Sequence, residues 1–137
     1  MNTAATAADV RWFQGTYRAE PAQVGRARRA LAEALGDCPL ADDVALIASE
    51  LATNSVLHSA SGNGGEFTLR AEIREWYVWV EVEDAGGSWT LGPHDDGRPH
   101  GLDVIEAIAG PGNWGVDGDG SGRIVWAMIK TGLPDSN

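Results

Sequence analysis

The chain has 137 residues, 43% of them hydrophobic and 22% charged, with a formal net charge of −10, a composition typical of one soluble globular domain. It shows no apolar run long enough to cross a bilayer and no basic, apolar leader, so neither a membrane protein nor a secreted one is expected. The acidic balance argues against direct nucleic-acid binding, and the single cysteine, Cys38, excludes an internal disulfide and favours a cytoplasmic protein.

The first predicted elements are a strand and a helix. Residues 10–18 mix aromatic and polar side chains, which indicates a short strand. Pro21 suits the first turn of a helix, apolar residues recur at helical spacing as far as Leu35, and Gly36 is the residue type that commonly follows a helix. We therefore expect a strand and then a helix that ends before Gly36.

The second helix, predicted over residues 42–58, organises the rest of the chain. Two acids open it, no Gly or Pro interrupts it, and four residues recur at helical spacing as its buried face: Val44, Ala48, Leu51 and Ser55. Glu50, Asn54 and His58 lie four residues apart and form a polar stripe at the edge of the apolar face. A carboxylate and an amide at that edge are expected to face a cleft or a partner, although a satisfied half-buried polar cluster is the commoner meaning of such a stripe.

Two alternating strands follow over residues 66–83, with Arg74 and Glu75 at the tip of their hairpin. One face of these strands is apolar and the other is mixed, which is typical of an antiparallel sheet covered by helices on one side. Trp79 lies on the mixed face, and an exposed Trp there would indicate an interface.

Residues 84–101 form an irregular stretch with five Gly and two Pro, far longer than a simple connection requires. A short helix is predicted over residues 102–109, and a closing hairpin over residues 114–116 and 124–129. The fold class is therefore α+β: a two-layer sandwich of about five mixed or antiparallel strands with three helices on one face. We expect one domain over residues 10–130, between a flexible start at 1–9 and a tail at 131–137.

Three features around this predicted sheet place polar groups where a ligand could bind. Asn54 offers an amide oxygen suited to Mg²⁺, and Glu50, one turn earlier, is placed to deprotonate a hydroxyl. Asp84 ends a strand beside a glycine pair and can accept a hydrogen bond from a flat ligand. Gly101 precedes a helix whose first backbone N–H groups suit a phosphate. Each feature alone is weak, because strand-end acids mostly cap turns and glycine pairs mostly make bends.

Taken in order, these stretches resemble one known family. The segment ELATNSVLH resembles the N box of the GHKL ATP-binding domains shared by gyrase, histidine kinases and anti-sigma-factor kinases. The segment VEVEDAGG resembles their adenine-reading box, and GRPHGLDVIEAIA resembles their second glycine box. The closing GSGRIVWAMI is similar to the compact anti-sigma-factor type, and the chain as a whole resembles small ATP-binding regulators common in actinomycetes. The resemblance runs from residue 10 to residue 129.

The resemblance implies roles for individual residues. Glu50 would be the general base and Asn54 the Mg²⁺ ligand. Asp84 would bind the adenine amino group. A further set would contact ATP through the pocket floor, the lid and backbone N–H groups: Gly86, Gly87, Arg98, His100, Gly101 and Leu102. His58 matches a common histidine of the motif, but a core histidine is the better interpretation.

Three departures from the family pattern bear on ATP. Ser88 stands where the adenine box usually has a glycine, which is expected to alter the start of the lid. Ile124 stands where the family often has a threonine that supports the adenine contact, so a weaker adenine affinity or an altered choice of nucleotide is expected. The lid over residues 88–98 carries two acids and, as its one cation, Arg98. Acids near a triphosphate are unfavourable unless a metal screens them.

The leading hypothesis from the resemblance is an anti-sigma factor with ATP-dependent serine/threonine protein kinase activity. Its cofactors would be ATP and Mg²⁺, and its partners a sigma factor and an anti-anti-sigma protein of the STAS type, with neither nucleic acid nor membrane. A homodimer is left open. The alternative is a non-catalytic nucleotide-binding or protein-binding module of the same fold, favoured by the three departures. The catalytic half of a split histidine kinase and an unrelated α+β domain rank lower.

Overall fold

The structure is a computed structural model and is described for residues 10–58, 65–85, 101–119 and 122–130. The predictions for the two ends, residues 1–9 and 131–137, lie outside the described residues. Within the described part, no helix is both long and apolar enough to cross a membrane.

Eight elements make up the described chain. In order they are β1 (Arg11–Arg18), α1 (Pro21–Leu35), α2 (Ala41–His58), β2 (Glu66–Ile73), β3 (Tyr77–Asp84), α3 (Gly101–Ala109), β4 (Trp114–Asp119) and β5 (Gly122–Lys130). Every predicted element is present. The closing strands are longer than predicted, because cross-strand pairing continues along β4 and β5 into the polar residues beside their turn.

The five strands form one open sheet in the order β1-β2-β3-β5-β4, and every neighbouring pair is antiparallel. This confirms the α+β sandwich and decides between the two sheet types that the sequence left open. β3 lies in the centre of the sheet, and its last residue, Asp84, pairs with Arg123 of β5.

Side-chain alternation separates the two faces of the sheet. On β2 and β3 each second residue is buried, as the apolar parity predicts. The helices cover that face, and the core lies between the layers around large side chains such as Phe67, Leu31, Leu51 and Ile105. Burying a side chain of this size contributes about 1.5–3 kcal/mol, so the apolar face fixes which side of the sheet the helices cover.

α1 begins and ends where its sequence predicts. Pro21 occupies the first turn, where no backbone N–H donor is needed. Gly36 follows the last turn with φ of 55°, a left-handed value that a side chain disfavours. Arg11 of β1 donates to the carbonyl oxygens of Ala34 and Leu35 at 2.9 and 3.3 Å. These bonds satisfy two carbonyls that the helix leaves without an internal partner, and they place a cation at the negative end of its dipole.

Candidate functional site

The buried face of α2 is the one that the spacing predicts. Val44, Ala48 and Leu51 are almost fully buried, and Ser55 is 2% exposed. α2 packs on the central strands and on α3. Ser55 is therefore a hydroxyl on an otherwise apolar face, and a buried hydroxyl requires a partner.

That partner is the carboxylate at the end of β3. Ser55 Oγ donates to Asp84 Oδ2 at 2.5 Å, and Asp84 is 6% exposed. A hydrogen bond to a carboxylate is stronger than one between neutral groups. It therefore ties the last turn of α2 to the end of β3 and holds one oxygen of Asp84 in a defined place.

Asn54, next to Ser55, is the second feature of the site. Its side-chain nitrogen, Nδ2, is buried, and no group in the described part of the chain accepts a hydrogen bond from it. Leaving a buried donor without an acceptor costs about 1–3 kcal/mol. An acceptor brought by a ligand would remove that cost, so this amide fits a binding role better than a packing role.

Glu50 precedes Asn54 by one turn and is half-buried at the edge of the apolar face, as predicted. Leu46 and Leu57, which project near it, are 43% and 63% exposed. Glu50 therefore lies at the boundary between the buried face of α2 and its exposed side. Glu50 and Asn54 are both half-buried as whole residues, although the side-chain nitrogen of Asn54 is buried.

The other predicted contacts divide into two groups. Gly101 and Leu102 form the start of α3, where free backbone N–H groups are expected. Four further residues lie outside the described part of the chain: Gly86, Gly87, Arg98 and His100. The structure thus brings Asn54 and Asp84 together through Ser55 and leaves the predicted lid contacts as predictions.

Strand register shows two features that sequence reasoning missed. Arg123 on β5 lies directly opposite Asp84, so it shares the helix-covered face with the carboxylate. Ile124 lies opposite Glu83 and therefore on the other face. The expectation that Ile124 weakens an adenine contact does not fit this register, since its side chain is across the sheet from Asp84. Every second residue of β5 is buried from Val125 onward, and this alternation puts Arg123 and Ile124 on opposite faces of the sheet.

The described residues contain no group of three or more His, Cys, Asp or Glu side chains that could hold a metal ion. A metal held entirely by side chains of this part of the chain is therefore not indicated. Asn54 offers one hard oxygen ligand, a number that suits a Mg²⁺ ion whose other ligands are phosphate oxygens and water.

Comparison with known proteins gives one family. The family model of the histidine kinase-like ATPase domain matches residues 17–117, from the end of β1 into β4. The match spans α2, β3 and α3, the elements that carry Asn54, Asp84 and Gly101. A search of curated proteins found no match.

Proposed function

Because the chain belongs to the histidine kinase-like ATPase domain family, we propose that it is an ATP-dependent serine/threonine protein kinase that also acts as an anti-sigma factor. Its substrate would be an anti-anti-sigma protein of the STAS type, and the partner that it sequesters would be a sigma factor. The family match supports ATP binding. The finer assignment rests on the resemblance of GSGRIVWAMI to the compact anti-sigma-factor type.

The observation that carries the proposal is the buried Nδ2 of Asn54, which has no acceptor among the described residues, beside the Ser55–Asp84 bond. A nucleotide brings two groups that suit these side chains: phosphate oxygens that accept from Asn54 Nδ2, and an adenine amino group that donates to Asp84. The amide oxygen of Asn54 remains for Mg²⁺. The chemistry of the side chains therefore fits ATP with its metal.

Each residue then has a separate part in phosphoryl transfer. Bound Mg²⁺ would neutralise charge on the phosphates as the bond to the leaving group breaks. Glu50 would accept the proton of the attacking serine hydroxyl, while the serine oxygen bonds to the γ-phosphorus and ADP leaves. Asp84 would hold the adenine end, so that the phosphates reach Asn54 and the start of α3. Backbone N–H groups at Gly101 and Leu102 would bind the phosphates.

Phosphorylation would also explain how the partner leaves. A phosphoserine adds about −1.5 to −2 charges, and this chain carries a net charge of −10. Like charges brought together at an interface weaken it. The phosphorylated partner would dissociate, and the kinase would become available to its sigma factor again.

ATP binding is tested by calorimetric titration with ATP and Mg²⁺. The wild type, Asp84→Ala and Asn54→Ala are titrated separately. Asp37→Ala is the matched control, because Asp37 is exposed in the loop after α1. We expect saturable binding by the wild type and by the control, and at least about a tenfold higher dissociation constant for either site variant. A folded wild-type protein that gives no heat at millimolar ATP would refute the nucleotide site.

Phosphotransfer is tested with γ-labelled ATP and a STAS-type protein from the same organism. Glu50→Gln should keep ATP affinity and lose transfer, because an amide is not a base at neutral pH. Glu33→Gln, on the exposed side of α1, should transfer label like the wild type. Equal transfer rates for Glu50→Gln and the wild type would show that Glu50 is not the general base. Saturable ATP binding without transfer would leave a non-catalytic ATP-binding module.

A further inference from the structure

The side of α2 that points away from the sheet carries two exposed leucines. Leu46 is 43% exposed and Leu57 is 63% exposed. Trp79, whose exposure would have indicated an interface on the sheet, stacks on Trp126 and is half-buried. Among the described residues, the exposed large apolar side chains are Trp12, Leu46, Leu57 and Trp76. A single exposed leucine is ordinary, but half of this set lies on one helix, the helix that carries Glu50.

The two leucines belong to one row of residues along α2. Its members are spaced three, four, three and four residues apart: Asp43, Leu46, Glu50, Thr53 and Leu57. Residues with this spacing share one side of a helix. Because each residue rises 1.5 Å, Leu46 lies about 6 Å from Glu50 along the helix axis, and Leu57 about 10 Å from it in the other direction. We call these five residues the outward row.

The outward row lies outside the core of the molecule. The opposite side of α2 is filled by Val44, Ala48 and Leu51, none more than 1% exposed. None of the five outward residues is buried. A polar residue in place of either leucine would therefore leave the core packing intact. Apolar residues at three-four spacing are the pattern by which a helix packs on another element, so the row is suited to contact with a partner.

The place of Glu50 in the outward row determines which partner reaches it. A general base must come within about 2.6–3.2 Å of the hydroxyl that it deprotonates. The protein that carries the phosphorylated serine must therefore cover α2 around Glu50. A standard interface covers about 800 Å² of each partner, which corresponds to a disc with a radius of roughly 16 Å. Leu46 and Leu57 both lie within that radius of Glu50.

The charge of α2 determines the chemistry of the segment that fits. The helix carries Asp42, Asp43 and Glu50 and neither Lys nor Arg. Asp42 and Asp43 are exposed about one turn before Leu46. Acids at a helix N-terminus stabilise the helix itself, and across an interface they favour an opposite charge over a like one. The complementary segment therefore has apolar side chains on both sides of its serine and a basic side chain near Asp43.

We propose that the outward row is the docking site for the phosphoacceptor protein, which places apolar side chains on Leu46 and Leu57, a basic side chain beside Asp43 and its serine at Glu50. The proposal rests on the proposed kinase function and adds to it the surface that selects the substrate. Leu46 and Leu57 are positioning residues, since they contact the substrate protein but not the reacting atoms. Their loss lowers affinity for that protein and leaves the transfer step unchanged.

The test is steady-state phosphotransfer from ATP, over a range of concentrations of the STAS-type protein that accepts the label. Leu46→Gln and Leu57→Gln keep the helix, because glutamine and leucine have similar helix propensities. Each variant should raise the KM for the STAS-type protein at least about fivefold and change kcat less than about twofold. Trp76→Gln is the control, because it removes a side chain that is 49% exposed at the β2–β3 turn, and its KM should stay within about twofold.

A second pair of variants tests the charge argument. Asp43→Asn should raise the KM for the STAS-type protein and weaken the increase of KM with salt. Glu75→Gln makes the same charge change at the exposed β2–β3 turn and should do neither. Calorimetric titration should give the wild-type ATP dissociation constant for every variant, which also shows that each is folded.

The outcomes separate this proposal from the one on which it rests. A wild type that transfers label to no STAS-type protein would refute the kinase function, and the docking site with it. Transfer by the wild type with an unchanged KM in Leu46→Gln and Leu57→Gln would refute the docking site alone. An equal rise in KM for Trp76→Gln, or a raised ATP dissociation constant in the leucine variants, would also overturn the docking site.

Discussion

Replacing Ser55 by alanine removes one hydroxyl from the contact between α2 and the end of β3. That hydroxyl donates to Asp84 at 2.5 Å in a buried setting, and a hydrogen bond to a charged group contributes about 1.5–3 kcal/mol. The higher helix propensity of alanine offsets up to about 0.5 kcal/mol of this loss in the free energy of unfolding. The expected loss in the free energy of unfolding is therefore about 1–2.5 kcal/mol.

Ser49→Ala is the matched control for this change. Ser49 lies on the same helix and donates to the backbone carbonyl of Ala45 at 3.0 Å, in its own preceding turn. Bonds of this kind add little to helix stability, so this variant should stay within about 0.5 kcal/mol of the wild type in urea unfolding. Ser55→Ala should also raise the ATP dissociation constant about tenfold, since Asp84 loses its hydrogen bond from Ser55. Equal stability and equal ATP affinity of the two variants would refute Ser55 as the residue that positions Asp84.

Three further variants test other contacts by urea unfolding in the absence of nucleotide. Asn54→Ala removes a buried donor without an acceptor, so stability should rise or change by less than about 0.5 kcal/mol, and a loss above about 2 kcal/mol would show that the amide is already bonded. Arg11→Ala removes two bonds to the end of α1 and should cost about 1 kcal/mol, against less than about 0.5 for exposed Arg18→Ala. Gly36→Ala should cost about 1 kcal/mol because of its positive φ, and an unchanged midpoint would contradict that reason.

The elements and their faces were predictable because their signals are local. The spacing of Val44, Ala48 and Leu51 gives the buried side of α2, and the alternation on β3 gives the buried side of the sheet. Termini also follow from single residue types, such as Pro21 and Gly36. These features depend on neighbours a few residues away in the chain, so a single sequence is enough to predict them.

The pairings that build the site were not predictable, because they join residues far apart in the chain. Ser55 was assigned to the buried face on spacing alone, and its bond to Asp84, 29 residues later, depends on how α2 lies on β3. The register of β5 decides that Arg123, and not Ile124, lies opposite Asp84. A shift of one residue in this register would place Ile124 instead of Arg123 opposite Asp84. Amino-acid composition does not determine a strand register.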